Sequence, residues 1–112
     1  MGYQMGTGVF ADTDAVTLIA SAAYTVTTTG TGYETDRGTC SLTLDVTACT
    51  GTLDVTIETS VDNATWRSAG TAFTQATGVT SARRSFTCDR FVRAVGTIVT
   101  GPATFSVSGE FR

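Results

Sequence analysis

The 112-residue sequence contains no lysine and no histidine. Without histidine, neither a Ser-His-Asp nor a Cys-His nucleophilic arrangement can form. Without lysine there is no Schiff-base amine and no Walker lysine, and the glycine-containing stretch "GTGYETDRGT" does not fit GxxxxGK[ST]. All seven basic residues are arginines, set against ten acidic ones for a net charge of −3. That balance lacks the dense basic footprint of a general nucleic-acid binder. No apolar run approaches the ~18 residues of a membrane-spanning helix. The start, "MGYQMGTGVFADTD", has neither the basic n-region nor the apolar h-region of a secretory signal. Gly6 stands where a myristoylation signal has Ser or Thr. The expectation is a protein made and used without crossing a membrane by that route.

Cysteine is scarce and odd in number: Cys40, Cys49 and Cys88. There is no CxxC spacing, and without histidine a zinc site would need carboxylates to complete it, so no metal and no cofactor are expected. Cys40 shares its parity with Leu42, Leu44 and Val46, and Cys88 shares its parity with Phe86. Both read as small buried apolar residues carrying reduced thiols, and all three cysteines are expected to be free. Glycosidase chemistry needs two carboxylates ~5–10 Å apart. Asp54 and Glu58 share one strand face, but four residues at ~3.3 Å each set their α-carbons ~13 Å apart. The chain is therefore read as no enzyme, with no small-molecule substrate.

What is present in excess is threonine, more than a fifth of the chain. This β-branched surplus disfavours helices. From residue 40 onward the sequence alternates. Cys40, Leu42, Leu44 and Val46 oppose Ser41, Thr43, Asp45 and Thr47; Leu53, Val55 and Ile57 oppose Asp54, Thr56 and Glu58; Phe105, Val107 and Phe111 oppose Thr104, Ser106, Ser108 and Glu110. Half-apolar, half-hydroxyl strands belong to antiparallel sheets with one wet face. Further strands are expected at Val16–Ala20, Tyr24–Thr29, Trp66–Ser68, Thr71–Gln75, Ala82–Thr87 and Phe91–Val99, punctuated by turn residues at 29–32, 50–52, 61–64, 76–78 and 100–102. The fold class is all-β: a single antiparallel β-sandwich of about eight strands, Ig-like or jelly-roll-like, over residues 15–112. Residues 1–14, with only Val9 and Phe10 apolar together, read as an extended, flexible N-terminal arm. If 40–48 and 53–60 form a hairpin, a register pairing Val46 with Val55 avoids the like-charge pair Asp45–Asp54.

Two stretches carry candidate interaction residues. Arg83, Arg84, Arg90 and Arg93 fall within one eleven-residue window. They read as a solvated face with cross-strand ion pairs to Asp54 or Glu58, as a protein interface, where planar arginine is enriched, or, as the least favoured reading, as a contact to phosphate or nucleic acid. In the arm, Tyr3, Met5, Val9 and Phe10 are candidate apolar anchors for a partner. The stretch "TSVDNATWRSAG" resembles the Asp-box turns of sialidases, SxDxGxTW, but is one residue shorter and lacks the glycine. That box is a fold element, in which Asp62 accepts turn amide hydrogens, Asp62-Asn63 suits a tight hairpin, and Trp66 covers the end of the core. A sugar-stacking Trp66 is the alternative.

The second half of the chain also resembles small proteins encoded in the structural modules of tailed bacteriophages. Those carry a run LDVTxxxGTLxVTVxTSxDGxxWxxxGxFTxxT, then RxxFxxxxRYVRVxWTITG, then TFSVSGE. The matching residues are Leu44-Asp45-Val46, Gly51-Thr52-Leu53, Thr59-Ser60, Asp62, Trp66, Phe73, Arg84, Phe86, Arg90-Phe91-Val92-Arg93 and Phe105-Ser106-Val107-Ser108-Gly109-Glu110, within residues 42–111. The chain departs from the pattern at Asn63, where it has Gly, and at Gly96, where it often has Trp. The resemblance implies a β-sandwich virion component assembled in the bacterial host cytoplasm. The leading expectation is a capsid decoration (head accessory) protein bound to the major capsid protein lattice, homo-oligomeric in the particle and without direct contact to nucleic acid or membrane. A tail-tube, head–tail joining or fibre component, and a carbohydrate-binding module, are the alternatives.

Overall fold

The structure is a computed structural model and describes residues 14–112. Nine strands and no helix occupy the described residues: β1 (Asp14–Tyr24), β2 (Thr28–Thr29), β3 (Tyr33–Glu34), β4 (Thr39–Cys49), β5 (Thr52–Ser60), β6 (Arg67–Ser68), β7 (Thr80–Thr87), β8 (Phe91–Val99) and β9 (Ala103–Phe111). They form two antiparallel sheets packed face to face. One has the order β1-β9-β4-β7, the other β2-β8-β5-β6, with β3 also pairing with β8. Since β2 and β3 both lie along β8, they act as one interrupted strand, and the count becomes eight. Of the two expected sandwich types, this order is that of the jelly roll.

The pairing shows how the chain reaches that order. Glu58 pairs with Ser68 and Cys40 with Phe86, numbers that in both cases add to 126. The β3–β8 pair Tyr33–Val92 and the β1–β9 pair Phe111–Asp14 each add to 125. The described chain is thus one long hairpin centred on residue 63, rolled up so that successive stretches of it fall in alternate sheets.

This winding overturns the expected hairpin between 40–48 and 53–60. β4 pairs with β9 and β7, and β5 pairs with β8 and β6, so Val46 and Val55 belong to opposite sheets. Alternation reports which side of a strand is buried, and two strands facing each other across the core satisfy it as well as two neighbours in a ladder. Thr50 and Gly51 carry the chain across. A Cβ at Gly51 would collide with the carbonyl oxygens of Val99 and Thr100, so only glycine fits this crossing.

Other boundaries shift in readable ways. β1 is longer than expected: Asp14, read as part of the arm, opens the strand opposite Phe111. Tyr24–Thr29 is not a strand; Tyr24 ends β1, and only Thr28 and Thr29 pair with β8. Thr71–Gln75 makes no ladder either. The N–H groups of Ala69, Phe73 and Ala76 donate to the carbonyls of Ile57, Val55 and Leu53. Four residues of this segment span two of β5, and the surplus bulges outward.

The core lies between the inner faces. Leu42, Leu44, Val46, Leu53, Val55, Val92, Phe105, Val107 and Phe111 are buried together with Ile57, Phe86, Leu18 and Ile19. Tilted aromatic pairs extend it, Tyr24 with Phe105 at 5.2 Å and Tyr33 with Phe111 at 5.0 Å between ring centroids, and Phe73 meets Phe86 edge-on at 5.8 Å. The eight residues expected inside from alternation (Leu44, Val46, Val55, Ile57, Phe86, Val92, Phe105 and Val107) all are. Replacing Val55 or Ile57 with alanine is expected to destabilise the fold by roughly 1–4 kcal/mol in chemical denaturation. Thr56→Ala, on the wet face of the same strand, should stay within about 0.5 kcal/mol.

Candidate functional site

The turn at the centre of the long hairpin is built from side chains. The buried Ser60 hydroxyl donates to Asp62 Oδ1 (2.9 Å) and accepts from the amides of Asp62 (3.2 Å) and Asn63 (3.0 Å). Asp62 Oδ1 accepts from the amides of Ala64 (3.0 Å) and Thr65 (2.9 Å). Asn63 takes a positive φ of 61°, a conformation asparagine tolerates. The amides of Thr65 and Ala64, followed by the Ser60 hydroxyl, hold the Asp62 carboxyl below the usual carboxylate range. The turn reading of Asp62 and Asn63 is therefore what the structure contains.

Trp66 is a correction. It does not cover the core but lies half-buried outside it, against the five-stranded sheet. The Arg93 guanidinium sits over its ring, 4.2 Å from the centroid, and Gly32 abuts the Cη2 end of the ring. Arg93 Nε in turn donates to Glu58 Oε1 at 2.7 Å, directly across the β5–β8 ladder. The Arg93 and Glu58 side chains are only 27% and 26% exposed, so this pair is less screened than the surface pairs around it. Glu58 and Arg93 hold outward positions of β5 and β8, and Trp66 leaves the turn on the same side of the sheet.

The arginine window separates. Arg83 and Arg84 lie on β7, at the edge of the four-stranded sheet, whereas Arg90 precedes β8 and Arg93 lies on it, in the other sheet. Arg83 donates to Ser41 Oγ (2.9 Å) and Thr43 Oγ1 (3.3 Å). Arg90 pairs with Glu34 (Nε–Oε2, 2.7 Å). The Arg84 side chain makes no hydrogen bond or ion pair among the described residues. It has the inward parity of Ala82 and Phe86 but remains exposed. A charge so placed on an edge strand discourages pairing with a further strand. Of the two expected ion-pair acceptors, Glu58 serves Arg93, whereas Asp54 accepts from Gln75 (2.9 Å) instead. Tyr3, Met5, Val9 and Phe10 lie outside the described residues.

Partners that the sequence reading missed are Glu34 for Arg90, Asp89 for Arg67 (2.8 Å) and Asp14 for Arg37 (3.3 Å). Each joins residues distant in sequence: the fold-back about residue 63 brings Glu34 to Arg90, whereas Arg67–Asp89 and Arg37–Asp14 each join two positions on the same arm of it. Asp14, Glu34, Thr35, Asp36 and Arg90 line a cleft of about 590 Å³ at one end of the sandwich. Its carboxylates are engaged with arginines, Glu34 with Arg90 and both Asp14 and Asp36 with Arg37. No cluster of three or more potential metal ligands occurs among the described residues.

The outer face of the four-stranded sheet is a different kind of surface. Ser41, Thr43, Asp45 and Thr47 of β4, Ser81, Arg83, Ser85 and Thr87 of β7, and Thr104, Ser106, Ser108 and Glu110 of β9 point to it. Nine of these twelve are Ser or Thr, which gives a low, hydroxyl-covered plane. Comparison with protein-family models, with curated proteins and with solved structures returns no significant match.

Two measurements check the turn and its neighbour. Arg93→Ala should cost about 1 kcal/mol and move the emission of Trp66, the single tryptophan, to longer wavelength as its ring meets water. Asp62→Ala should melt below the parent at pH 7. The Asp62 carboxylate is favoured in the folded state, so its contribution is present above the ordinary carboxylate value of about 4 and is lost as pH falls through its lower folded value. The melting gap should accordingly narrow on acidification.

Proposed function

We propose that this chain is a non-enzymatic structural protein of a tailed-phage virion, a capsid decoration protein that binds the lattice of the major capsid protein as a homo-oligomeric layer. The observation that carries the reading is the resemblance of residues 42–111 to phage structural proteins, spread over strands of both sheets. Jelly rolls build viral capsid and lectin domains alike, so the fold is compatible with the reading without selecting it. Against the lectin alternative stands Trp66, whose ring is covered by Arg93 and therefore is no free stacking platform for a sugar.

The surface suits lattice binding. A hydroxyl-covered plane of short side chains loses little rotamer entropy on contact and has its own hydrogen-bonding groups. The segment before β1 supplies the second contact. Its backbone adds a strand to a neighbour's sheet edge, where main-chain hydrogen bonds give affinity and alternate side chains give specificity, with Tyr3, Met5, Val9 and Phe10 as anchors. Arg84, its side chain exposed and without a partner among the described residues, is the arginine of the window most able to meet an acidic neighbour.

The test is deletion of residues 2–12, which ends short of the first strand residue, Asp14. The truncated protein should melt within a few degrees of the parent but fail to bind particles. Loading at full occupancy would place the interface on the sandwich itself. Cryo-electron microscopy of the particle is expected to show many copies on the shell, and a tail ring in their place would overturn the decoration role.

A further inference from the structure

Cys40 and Cys88 lie 48 positions apart in sequence, yet their Sγ atoms are 3.2 Å apart. Cys40 sits on β4 opposite Phe86 of β7. Cys88 lies two residues further on, in the connection that takes the chain from β7 in one sheet to β8 in the other, and its amide donates to the Gly38 carbonyl at 2.8 Å. Both side chains are buried, Cys40 at 2% exposure and Cys88 at 9%. Cys49 belongs elsewhere, its Sγ directed at the carbonyls of Gly51 and Ala76. A disulfide needs its sulfurs at ~2.05 Å, so a shift of little more than 1 Å separates this pair from a bond.

We propose that Cys40 and Cys88 form a redox site, a dithiol that closes to an intramolecular disulfide when a small-molecule disulfide oxidises it. Cys88, the more exposed sulfur, attacks first. Its thiolate displaces one thiolate from the oxidant, forming a mixed disulfide as the oxidant's S–S bond breaks. The Cys40 thiolate then attacks Sγ of Cys88, and the second oxidant thiolate leaves. Two protein thiols are oxidised, one disulfide is reduced to two thiols, and the two protons pass to those leaving thiolates. In the dithiol Cys88 Sγ donates to Cys40 Sγ, and once Cys88 ionises the Cys40 thiol donates back to its thiolate. This lowers the Cys88 pKa, while the same bond and burial push Cys40 up. That order of acidity suits Cys88 as attacking sulfur and Cys40 as resolving sulfur. The bond would fasten the inter-sheet connection after β7 to β4, a central strand of the four-stranded sheet. It stands on the thiol geometry and does not depend on the proposed function.

The test refolds the reduced full chain from denaturant in a buffer of reduced and oxidised glutathione, so that access to buried sulfur does not limit the outcome. Free thiols should fall from three to one, and peptide mapping should join Cys40 to Cys88. The melting temperature should rise by roughly 10 °C over the reduced protein and return on adding dithiothreitol. Cys49→Ser should keep both the crosslink and the rise. Three thiols retained under oxidising buffer, a bond involving Cys49, or an oxidised protein that melts no higher than the reduced one would each overturn the proposal.

Discussion

Everything in this molecule depends on two sheets burying one face each against the other. A sheet that hides only one side fixes the orientation of every residue along its strands, because a slip of one position would send Leu42, Leu44 and Val46 into water and Ser41, Thr43 and Asp45 into the core. The same constraint sets the outer surfaces. Whatever faces away from Phe105 and its neighbours is left for solvent or for a partner. The Ser/Thr plane on one sheet and the Trp66–Arg93–Glu58 group on the other are by-products of an alternation whose first task is burial.

The central turn is the second organising element. Because the pairs of β5–β6, β4–β7, β3–β8 and β1–β9 all centre near residue 63, the residues that shape this turn act on a register that runs the length of the described chain. Ser60 and Asp62 satisfy four of its amides, and Asn63 adopts the positive φ that reverses the chain. The likeness to an Asp box thus lies in what that motif does for a fold and not in any chemistry. The long fold-back also accounts for the distant partners: Cys40 meets Cys88, and Glu34 meets Arg90, because each pair is nearly equidistant from the turn.

On the proposed role, such a body suits a lattice. Its edges differ: β7 carries Arg84 at an inward-parity position, which discourages strand addition, whereas the outermost strand at the other side, β1, has no charged side chain between Asp14 and its end at Tyr24. Its broad face presents hydroxyls that hydrogen-bond in many geometries. Function of this kind rests on surface shape and copy number and needs no single reactive group.

Fold class, core membership and the turn were legible in the residues themselves. Period-two alternation is a local property, and so is the ability of Ser60, Asp62 and Asn63 to hold a tight reversal, so both can be read without knowing any neighbour. Which strands pair is not local. The alternation of 40–48 and 53–60 fits a hairpin and a sheet-to-sheet crossing equally, and the choice came from packing the whole chain, with Gly51 squeezed beneath the carbonyls of Val99 and Thr100. The arginine window shows the same limit. Seven positions separate Arg83 from Arg90, but the crossing between β7 and β8 begins between them, so Arg83 lies in one sheet and Arg90 leads into the other. The sequence by itself determined which face of the long alternating strands is buried and where the central turn falls. The tertiary structure alone decided the sheet in which each strand lies, the acceptor of each arginine, the place of Trp66 outside the core and the meeting of two thiols, because each is a contact between segments that nothing in their own residues brings together.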